Sequence, residues 1–277
     1  MVFEALHRLG SRADRVLLYP REMDTLVANS TDRDSQLLVM ARDRFGVQLV
    51  PVEVKRVGRG QMKDRKDETW DESITKFLAF NQTAYERVLH FDSDVTVLKH
   101  MDELFLLPKA KVAMMRAYWH LPKLRTLTSL FVLLEPSEFE LERLMEVAGG
   151  RKGDEYDMEI LDRVYGDSAM VLPHQHYGLL SGEFRSRDHK NFLGNDYEAW
   201  DPERVLEEAS LVHFSDWPLP KPWILWPATV VSQMVPKCKD VSGVVDCREK
   251  DIWLKLYSDF RQRRKDICAL LPAPAPE

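Results

Sequence analysis

The chain has 277 residues, of which 44% are hydrophobic and 30% are charged, and its formal net charge is −6. This balance is typical of a globular protein that is long enough to bury a substantial core. The negative charge disfavours nonspecific binding of nucleic acid. No apolar run reaches the roughly 18 residues of a membrane-spanning helix, so the sequence predicts a soluble chain without such a segment.

The first part of the chain predicts alternating helices and strands. Residues 1–9 have the pattern of an amphipathic helix, and residues 16–19 that of a buried strand. A helix is predicted over about 35–45, where Gly46 ends it, and a strand over 47–54. A strand, a helix and a strand in this order predict a parallel sheet with crossover helices.

The middle of the chain continues the pattern. Residues 58–70 are charged and contain glycine, which is typical of a loop, and 71–88 predict a helix with Asp71 as its N-cap. Further elements are expected in the order strand 88–91, strand 112–117, strand 129–136 and helix 137–150. Residues 150–235 are richer in loops, a helix follows near the C-terminus, and the tail "PAPAPE" is expected to be disordered.

The predicted elements begin with a helix, although an α/β domain of this kind normally opens with a strand. The carboxyl end of that opening strand usually helps to build the ligand site. Two explanations are open: the sheet does without this strand, or the sequence lacks an N-terminal piece.

Two carboxylates, Asp92 and Asp94, follow the apolar run "VLHF" directly. Side chains two residues apart on an extended segment point the same way, and ligands sit at the carboxyl ends of strands in open α/β sheets. Two carboxylates placed in this way repel each other unless they bind a hard divalent cation. The alternative is a surface turn with two solvated aspartates.

A second motif, "HFSDWPLPKPW", begins at His213 and places Lys221 between two prolines. The prolines restrict the backbone on either side of the lysine. A neutral imidazole suits manganese better than magnesium, and an ammonium beside a metal suits a diphosphate. The alternative is a core histidine and a lysine at a surface turn.

With these motifs the sequence resembles the glycogenin-like family-8 glycosyltransferases, which are retaining sugar transferases of the GT-A fold. It resembles their fungal N-acetylglucosaminyltransferase branch most. The matching stretches are residues 74–105, 127–137, 156–185 and 213–223. The resemblance implies an α/β fold with a mixed, mostly parallel central sheet flanked by helices, here without its first strand.

The resemblance also implies roles for single residues. It places Mn²⁺, or another divalent cation, on Asp92, Asp94 and His213, and the donor's diphosphate on Lys221. Substrate contacts are further implied for Lys76, which lies 16 residues before Asp92, and for Ser93 and Thr128. Asp157 matches an aspartate near the reacting carbon, although Met158 stands here in place of the family's glutamine.

The implied function is that of a hexosyltransferase-type enzyme that uses a UDP-sugar donor and a glycan or other hydroxyl acceptor. In similar proteins the first strand holds the uracil and ribose, and a membrane anchor lies upstream, as expected for the Golgi lumen. Because this chain begins after the matching position, a catalytically impaired transferase that acts as a binding or partner protein is the alternative. A phosphohydrolase or nucleotidyltransferase is disfavoured because the sequence has no acidic cluster for two metals and no P-loop.

The resemblance divides the chain into a GT-A-like catalytic domain at 1–235 and a C-terminal helical extension with its tail at 236–277. All three cysteines lie in that extension. One disulfide, Cys247–Cys268 or Cys238–Cys247, and three free thiols are alternatives that the sequence leaves open.

Overall fold

The computed structural model describes the whole chain except residues 24, 26–31, 57–67, 122, 124, 153–154, 216–220, 242, 270–272 and 275–277. The chain forms two compact units. The terminal unit contains both chain ends and comprises Met1–Ser11, Ser93–Met101 and Pro173–Glu277. The central unit comprises Arg12–Asp92 and Asp102–Leu172.

The helices and strands follow each other along the described chain as α/β segments. The α-helices are α1 (Val2–Arg8), α2 (Arg33–Phe45), α3 (Glu138–Gly149), α4 (Asp157–Tyr165), α5 (His174–Tyr177), α6 (Lys190–Leu193), α7 (Pro202–Glu208), α8 (Ala228–Met234) and α9 (Arg248–Cys268). The strands are β1 (Arg15–Pro20), β2 (Val47–Val52), β3 (Val88–Phe91), β4 (Val95–Val97), β5 (Val112–Arg116), β6 (Leu127–Leu134), β7 (Met170–Leu172), β8 (Leu179–Leu180), β9 (Leu211–His213), β10 (Ile224–Leu225), β11 (Lys239–Val241), β12 (Val244–Asp246) and β13 (Ala273–Pro274). Among the described residues, four 3-10 helices add to these: Glu68–Asn81, Asp102–Leu106, Tyr118–His120 and Ser181–Arg185.

The predicted β-α-β unit at the start of the central unit is confirmed. Strands β1 and β2 pair in parallel and α2 connects them. The side chain of Asp32 caps the start of α2 by accepting a hydrogen bond from the amide of Ser35, at 2.8 Å. Gly46 ends the helix with a φ of 64°, a left-handed conformation that glycine adopts without the steric cost of a Cβ.

The predicted helix at 71–88 differs in type and in bounds. It is a 3-10 helix that begins at Glu68, so Asp71 is not its N-cap, and it ends at Asn81. Three core residues of this helix, Ile74, Phe77 and Phe80, lie three positions apart, and each is at most 2% exposed. A 3-10 helix has three residues per turn, so this spacing places all three side chains on one face. The period of the core residues therefore favours the tighter helix.

The main sheet of the central unit has the strand order β3-β6-β5-β7. It is mixed, as predicted, and helices flank it. The sequence predicted mostly parallel strands, but this sheet has more antiparallel pairs. Strands β3 and β5 both pair antiparallel with β6, and only β5 and β7 pair in parallel. The short connection between β5 and β6 explains their direction, since a parallel pair needs a crossover of about a dozen residues or more.

The described strands of the central unit form two separate sheets, β1-β2 and β3-β6-β5-β7. In the part of the chain that the structure describes, β1 and β3 belong to different sheets. A cavity of about 440 Å³ lies beside them and is lined by Val16 and Leu18 of β1 and by Val88, Leu89 and His90 of β3. The sheet is therefore discontinuous between β1 and β3.

The core of the central unit surrounds β6. All eight residues of β6 are buried, so both of its faces are covered. Leu144 and Ala148 of α3 pack in the same hydrophobic cluster as Ile160 and Leu161 of α4. Because α3 and α4 belong to this core, the first residue of α4 is held in a fixed place relative to the sheet.

The terminal unit contains the three-stranded sheet β4-β9-β8, the hairpin β11-β12 and the long helix α9. A disulfide joins Cys238 to Cys247 across the hairpin, which selects one of the two pairings that the sequence left open. Cys268 takes no part in it. Of the predicted disordered tail, all but Ala273–Pro274 lies outside the described residues. Among the helices that the structure describes, none combines the length and the apolar character needed to cross a bilayer.

Candidate active site

A cluster of three charged side chains lies in the central unit. Lys76 comes from the 3-10 helix, Asp92 follows the end of β3, and Asp157 is the first residue of α4. The Lys76 Nζ atom lies 2.8 Å from Asp92 Oδ1 and 2.7 Å from Asp157 Oδ2. The amide of Asp92 donates to the carbonyl of Leu130 at 3.0 Å, so its backbone continues the register of β3 and β6. The structure thus brings three of the predicted site residues together as one ion-pair network.

Burial and the opposite charges act against each other in this network. Burial alone would lower the pKa of Lys76, but the charges of Asp92 and Asp157 raise it above its ordinary value. Burial would raise the pKa of Asp157, but Lys76 holds it below its ordinary value. Burial and the positive charge of Lys76 lower the pKa of the nearby His90 to about 4. At neutral pH the Lys76 ammonium and the Asp157 carboxylate are therefore both charged, and the His90 imidazole beside them is neutral.

Ser129 on β6 is a member of this site that the sequence did not single out. Its side chain forms a hydrogen bond with Asp157, and the residue is 7% exposed. The predicted neighbour Thr128 is also buried, and its Oγ1 accepts a bond from the amide of Leu130 at 3.3 Å. The substrate contact that the resemblance implies for Thr128 stays a prediction. Alternation along a strand decides which of these two hydroxyls faces Asp157, and that orientation depends on register.

A second cluster lies in the terminal unit and contains Asp94, His213 and Lys221. Strands β4 and β9 pair antiparallel with Val95 opposite His213, and the amide of Phe214 donates to the carbonyl of Asp94 at 2.9 Å. This pairing places His213 Nε2 3.0 Å from Asp94 Oδ1. Lys221 Nζ donates to Asp94 Oδ2 at 2.5 Å.

The charges of the second cluster favour an ionised carboxylate. Burial alone would raise the pKa of Asp94, but hydrogen bonds and charges from His213 and Lys221 hold it far below its ordinary value. His213 Nδ1 is buried and has no hydrogen-bond partner among the described residues. Asp94 thus presents a carboxylate that faces an imidazole nitrogen and an ammonium. A carboxylate oxygen and an imidazole nitrogen are both ligand types that manganese accepts.

Ser93 lies between the two aspartates in sequence. Its side chain is exposed, whereas Asp92 and Asp94 are partly buried. The chain therefore turns its two carboxylates inward and the hydroxyl between them outward. The contact predicted between Ser93 and a substrate stays a prediction.

Comparison with solved structures identifies the fold. A glycosyltransferase, GlyE of Streptococcus pneumoniae, matches with a TM-score of 0.53 and 14% identity, over 98% of this chain and 60% of that one. The galactosyltransferase LgtC, in complex with donor and acceptor sugar analogues, matches with a TM-score of 0.51 and 11% identity, over 80% of this chain and 95% of that one. The fold is thus the GT-A fold that these glycosyltransferases share.

Comparison of sequences identifies the family. The chain is 54% identical over 281 residues to Glucose N-acetyltransferase 1 of Aspergillus fumigatus, covering 97% of the chain and 72% of that relative. It is 48% identical over 272 residues to the protein of the same name from Gibberella zeae, covering 97% of the chain and 58% of that relative. The chain belongs to the family of these fungal proteins. No family model matches it.

Proposed function

We propose that the protein is a metal-dependent retaining glycosyltransferase. It moves a sugar, N-acetylglucosamine in our proposal, from a UDP-sugar to a hydroxyl group of a glycan or another acceptor. The observation that carries the proposal is the placement of His213 Nε2 and Lys221 Nζ on the two oxygens of one carboxylate, that of Asp94. This arrangement combines metal-ligand chemistry with a cation suited to a diphosphate.

The metal ligands in this proposal are Asp92, Asp94 and His213. These residues supply two carboxylates and one imidazole, a group of side chains that could hold a metal ion. Carboxylate and imidazole ligands are compatible with Mn²⁺ or another divalent cation. When bound, such a cation neutralises negative charge that develops on a departing diphosphate.

The residues of the protein share the remaining tasks. Lys221 leaves Asp94 for the diphosphate of the donor and adds a second positive charge at the leaving group. Lys76 and Asp157 orient the donor sugar from their network in the central unit, supported by Ser129. Ser93 and Thr128 remain proposed contacts of the donor.

The proposed reaction is a displacement on the front face of the sugar. The acceptor oxygen forms a bond to the anomeric carbon while the bond from that carbon to the UDP oxygen breaks. The acceptor's proton passes to the departing phosphate oxygen, so the products are the glycoside and UDP. In the described chain, Asp157 is the only carboxylate proposed near the sugar, and its ion pair with Lys76 suits it to orientation better than to nucleophilic attack.

The test is a measurement of released product from a panel of UDP-sugars with Mn²⁺ and an acceptor glycan. Because the relatives bear the name Glucose N-acetyltransferase 1, the panel includes acetyl-coenzyme A. We expect UDP release that depends on Mn²⁺. Release of coenzyme A in place of UDP would overturn glycosyl transfer, and activity that is independent of metal would overturn the metal assignment.

Variants of the second cluster sharpen this test. Asp94→Asn and His213→Ala are expected to lose Mn²⁺ affinity and turnover together. Lys221→Ala is expected to weaken UDP binding by about tenfold or more while it keeps Mn²⁺ affinity. Lys255→Ala, an exposed lysine of α9, is the matched control. UDP binding without turnover in the parent chain would favour the alternative of a binding or partner protein.

Two further predictions from the sequence remain proposals. The first is a GT-A-like catalytic domain at 1–235 followed by a C-terminal helical extension with its tail at 236–277. The second is the Golgi location that the family resemblance implies.

A further inference from the structure

The long helix α9 presents an apolar face to the terminal unit. Trp253, Leu256, Tyr257 and Phe260 are buried and recur with the spacing of one face of an α-helix. The helix is also attached at its start, where Glu249 accepts a hydrogen bond from Lys239 at 2.6 Å. A helix held in this way is a rigid surface on which a neighbouring segment can be fixed.

Phe260 contacts residues on both sides of the segment that carries Lys221. Its ring centroid lies 5.1 Å from that of Phe214, in an edge-on arrangement, and 5.9 Å from that of Trp223. Phe214 directly follows His213, and Trp223 lies two residues after Lys221. Phe214 is 1% exposed, so its place depends on close packing against α9.

Arg261, the next residue of α9, holds the backbone beside Lys221. Its Nε atom donates to the carbonyl oxygen of Pro222 at 2.9 Å. Pro222 is the residue after Lys221 and is buried, so this bond acts at the base of the lysine side chain. A charged donor makes the bond stronger than one between neutral groups.

The ammonium of Lys221 forms the contact that joins the two parts of the chain held by α9. Besides Asp94, it donates to the carbonyl oxygen of Phe214 at 2.7 Å. Phe214, which supplies the carbonyl oxygen, packs on Phe260. Pro222, the residue after Lys221, accepts the hydrogen bond from Arg261. Both ends of the contact between Lys221 and Phe214 therefore rest on two consecutive residues of α9.

We infer that Phe260 and Arg261 are positioning residues that hold Lys221 in the direction needed to meet the donor's diphosphate. A lysine has four rotatable side-chain bonds, and fixing its backbone lowers the entropy lost when it binds an anion. Neither residue touches the substrate in this role. The inference rests on the proposed function, because it assigns Lys221 to the diphosphate.

The first experiment measures UDP affinity by calorimetry in the presence of Mn²⁺, with Mn²⁺ affinity measured separately. Arg261→Ala is expected to weaken UDP binding about threefold to tenfold and to leave Mn²⁺ affinity unchanged. Arg261→Lys, which can still donate to Pro222, is expected to recover part of the loss. Gln262→Ala is the matched control, since Gln262 is exposed on the same helix and bonds within it to Asp266.

The second experiment is a double-mutant cycle. If Arg261 acts through Lys221, then Arg261→Ala has no further effect on UDP affinity in a chain that already carries Lys221→Ala. Phe260→Leu, which keeps an apolar side chain, serves as the second variant if Phe260→Ala does not fold. It is expected to show the same dependence on Lys221.

The outcomes separate the inference from the proposed function. If Lys221→Ala itself leaves UDP affinity unchanged, the assignment of Lys221 to the diphosphate fails. If Lys221→Ala weakens binding but Arg261→Ala and Phe260→Leu do not, only the positioning role fails. Additive losses in the cycle would also overturn that role, because they would show that Arg261 acts independently of Lys221.

Discussion

The ammonium nitrogen of Lys76 lies 2.8 Å from a carboxylate oxygen of Asp92, although 16 residues separate them in the chain. The same nitrogen reaches Asp157 at 2.7 Å. The side chains of Lys76 and Asp157 are 14% and 11% exposed, so little solvent screens the pair. One lysine therefore balances two partly buried carboxylates.

Replacement of Lys76 by methionine should destabilise the protein. The change keeps the apolar stem but leaves Asp92 and Asp157 without their shared cation, which typically costs about 3–5 kcal/mol when one partner of a buried ion pair is removed. Unfolding in urea measures the loss. Lys55→Met is the control, since Lys55 pairs with the exposed Glu53 and should cost less than about 1 kcal/mol. Equal losses for the two variants would contradict the buried network.

Replacement of Asp157 by asparagine tests its role toward the donor sugar. The amide keeps the size of the side chain but removes the charge that pairs with Lys76. If Asp157 and Lys76 orient the sugar, misplacement of the donor should lower kcat/KM about 100-fold. The measurement is UDP release with Mn²⁺, and Asp167→Asn, an exposed position after α4, is the control. Unchanged turnover would remove Asp157 from the mechanism.

His189 in the terminal unit should make stability depend on pH. Its Nδ1 lies 2.7 Å from Glu183 and its Nε2 3.3 Å from Glu249, which also binds Lys239, and its ring stacks on Trp200. Burial would lower the pKa of His189, but the two carboxylates raise it above its ordinary value. The stabilisation of the fold by protonated His189 is therefore complete below about pH 6.5, the ordinary pKa of histidine. It is lost as pH rises through the higher pKa that His189 has in the folded state.

His189→Gln checks this dependence, because glutamine does not gain a proton in this range. The free energy of unfolding of the parent should exceed that of the variant most at acidic pH, and the difference should shrink as pH rises. Exposed His176 provides the control variant, His176→Gln. A difference that stays constant from acidic to alkaline pH would show that His189 does not carry the effect.

Removal of the disulfide should have a moderate cost. Cys238 and Cys247 are separated by nine positions, and loop-closure entropy for a loop of that size is worth about 2–3 kcal/mol. The double variant Cys238→Ser with Cys247→Ser is compared by urea unfolding with Cys268→Ser, which lies outside the disulfide. A larger loss for Cys268→Ser would contradict a stabilising role of the hairpin disulfide.

The residues of the candidate site were predictable where a short sequence motif contains them. The spacing of Asp92 and Asp94 after a strand, and the motif that begins at His213, both identified residues that lie in charged clusters. Ser129 was not singled out, because its contact with Asp157 depends on the register of β6 against the rest of the fold. The support of Lys221 by Arg261 was equally invisible, since it joins residues 39 positions apart.

The sequence alone determined the features that depend on neighbouring residues. Examples are the unit β1-α2-β2, the end of α2 at Gly46, and the placement of two carboxylates directly after β3. These follow from side-chain periodicity and backbone preference, which act over a few residues. Only the tertiary structure decided which charges meet, as in the pairing of Asp94 with His213 across 119 positions. Such contacts depend on strand pairing and helix packing, and these are set by the burial of the whole core.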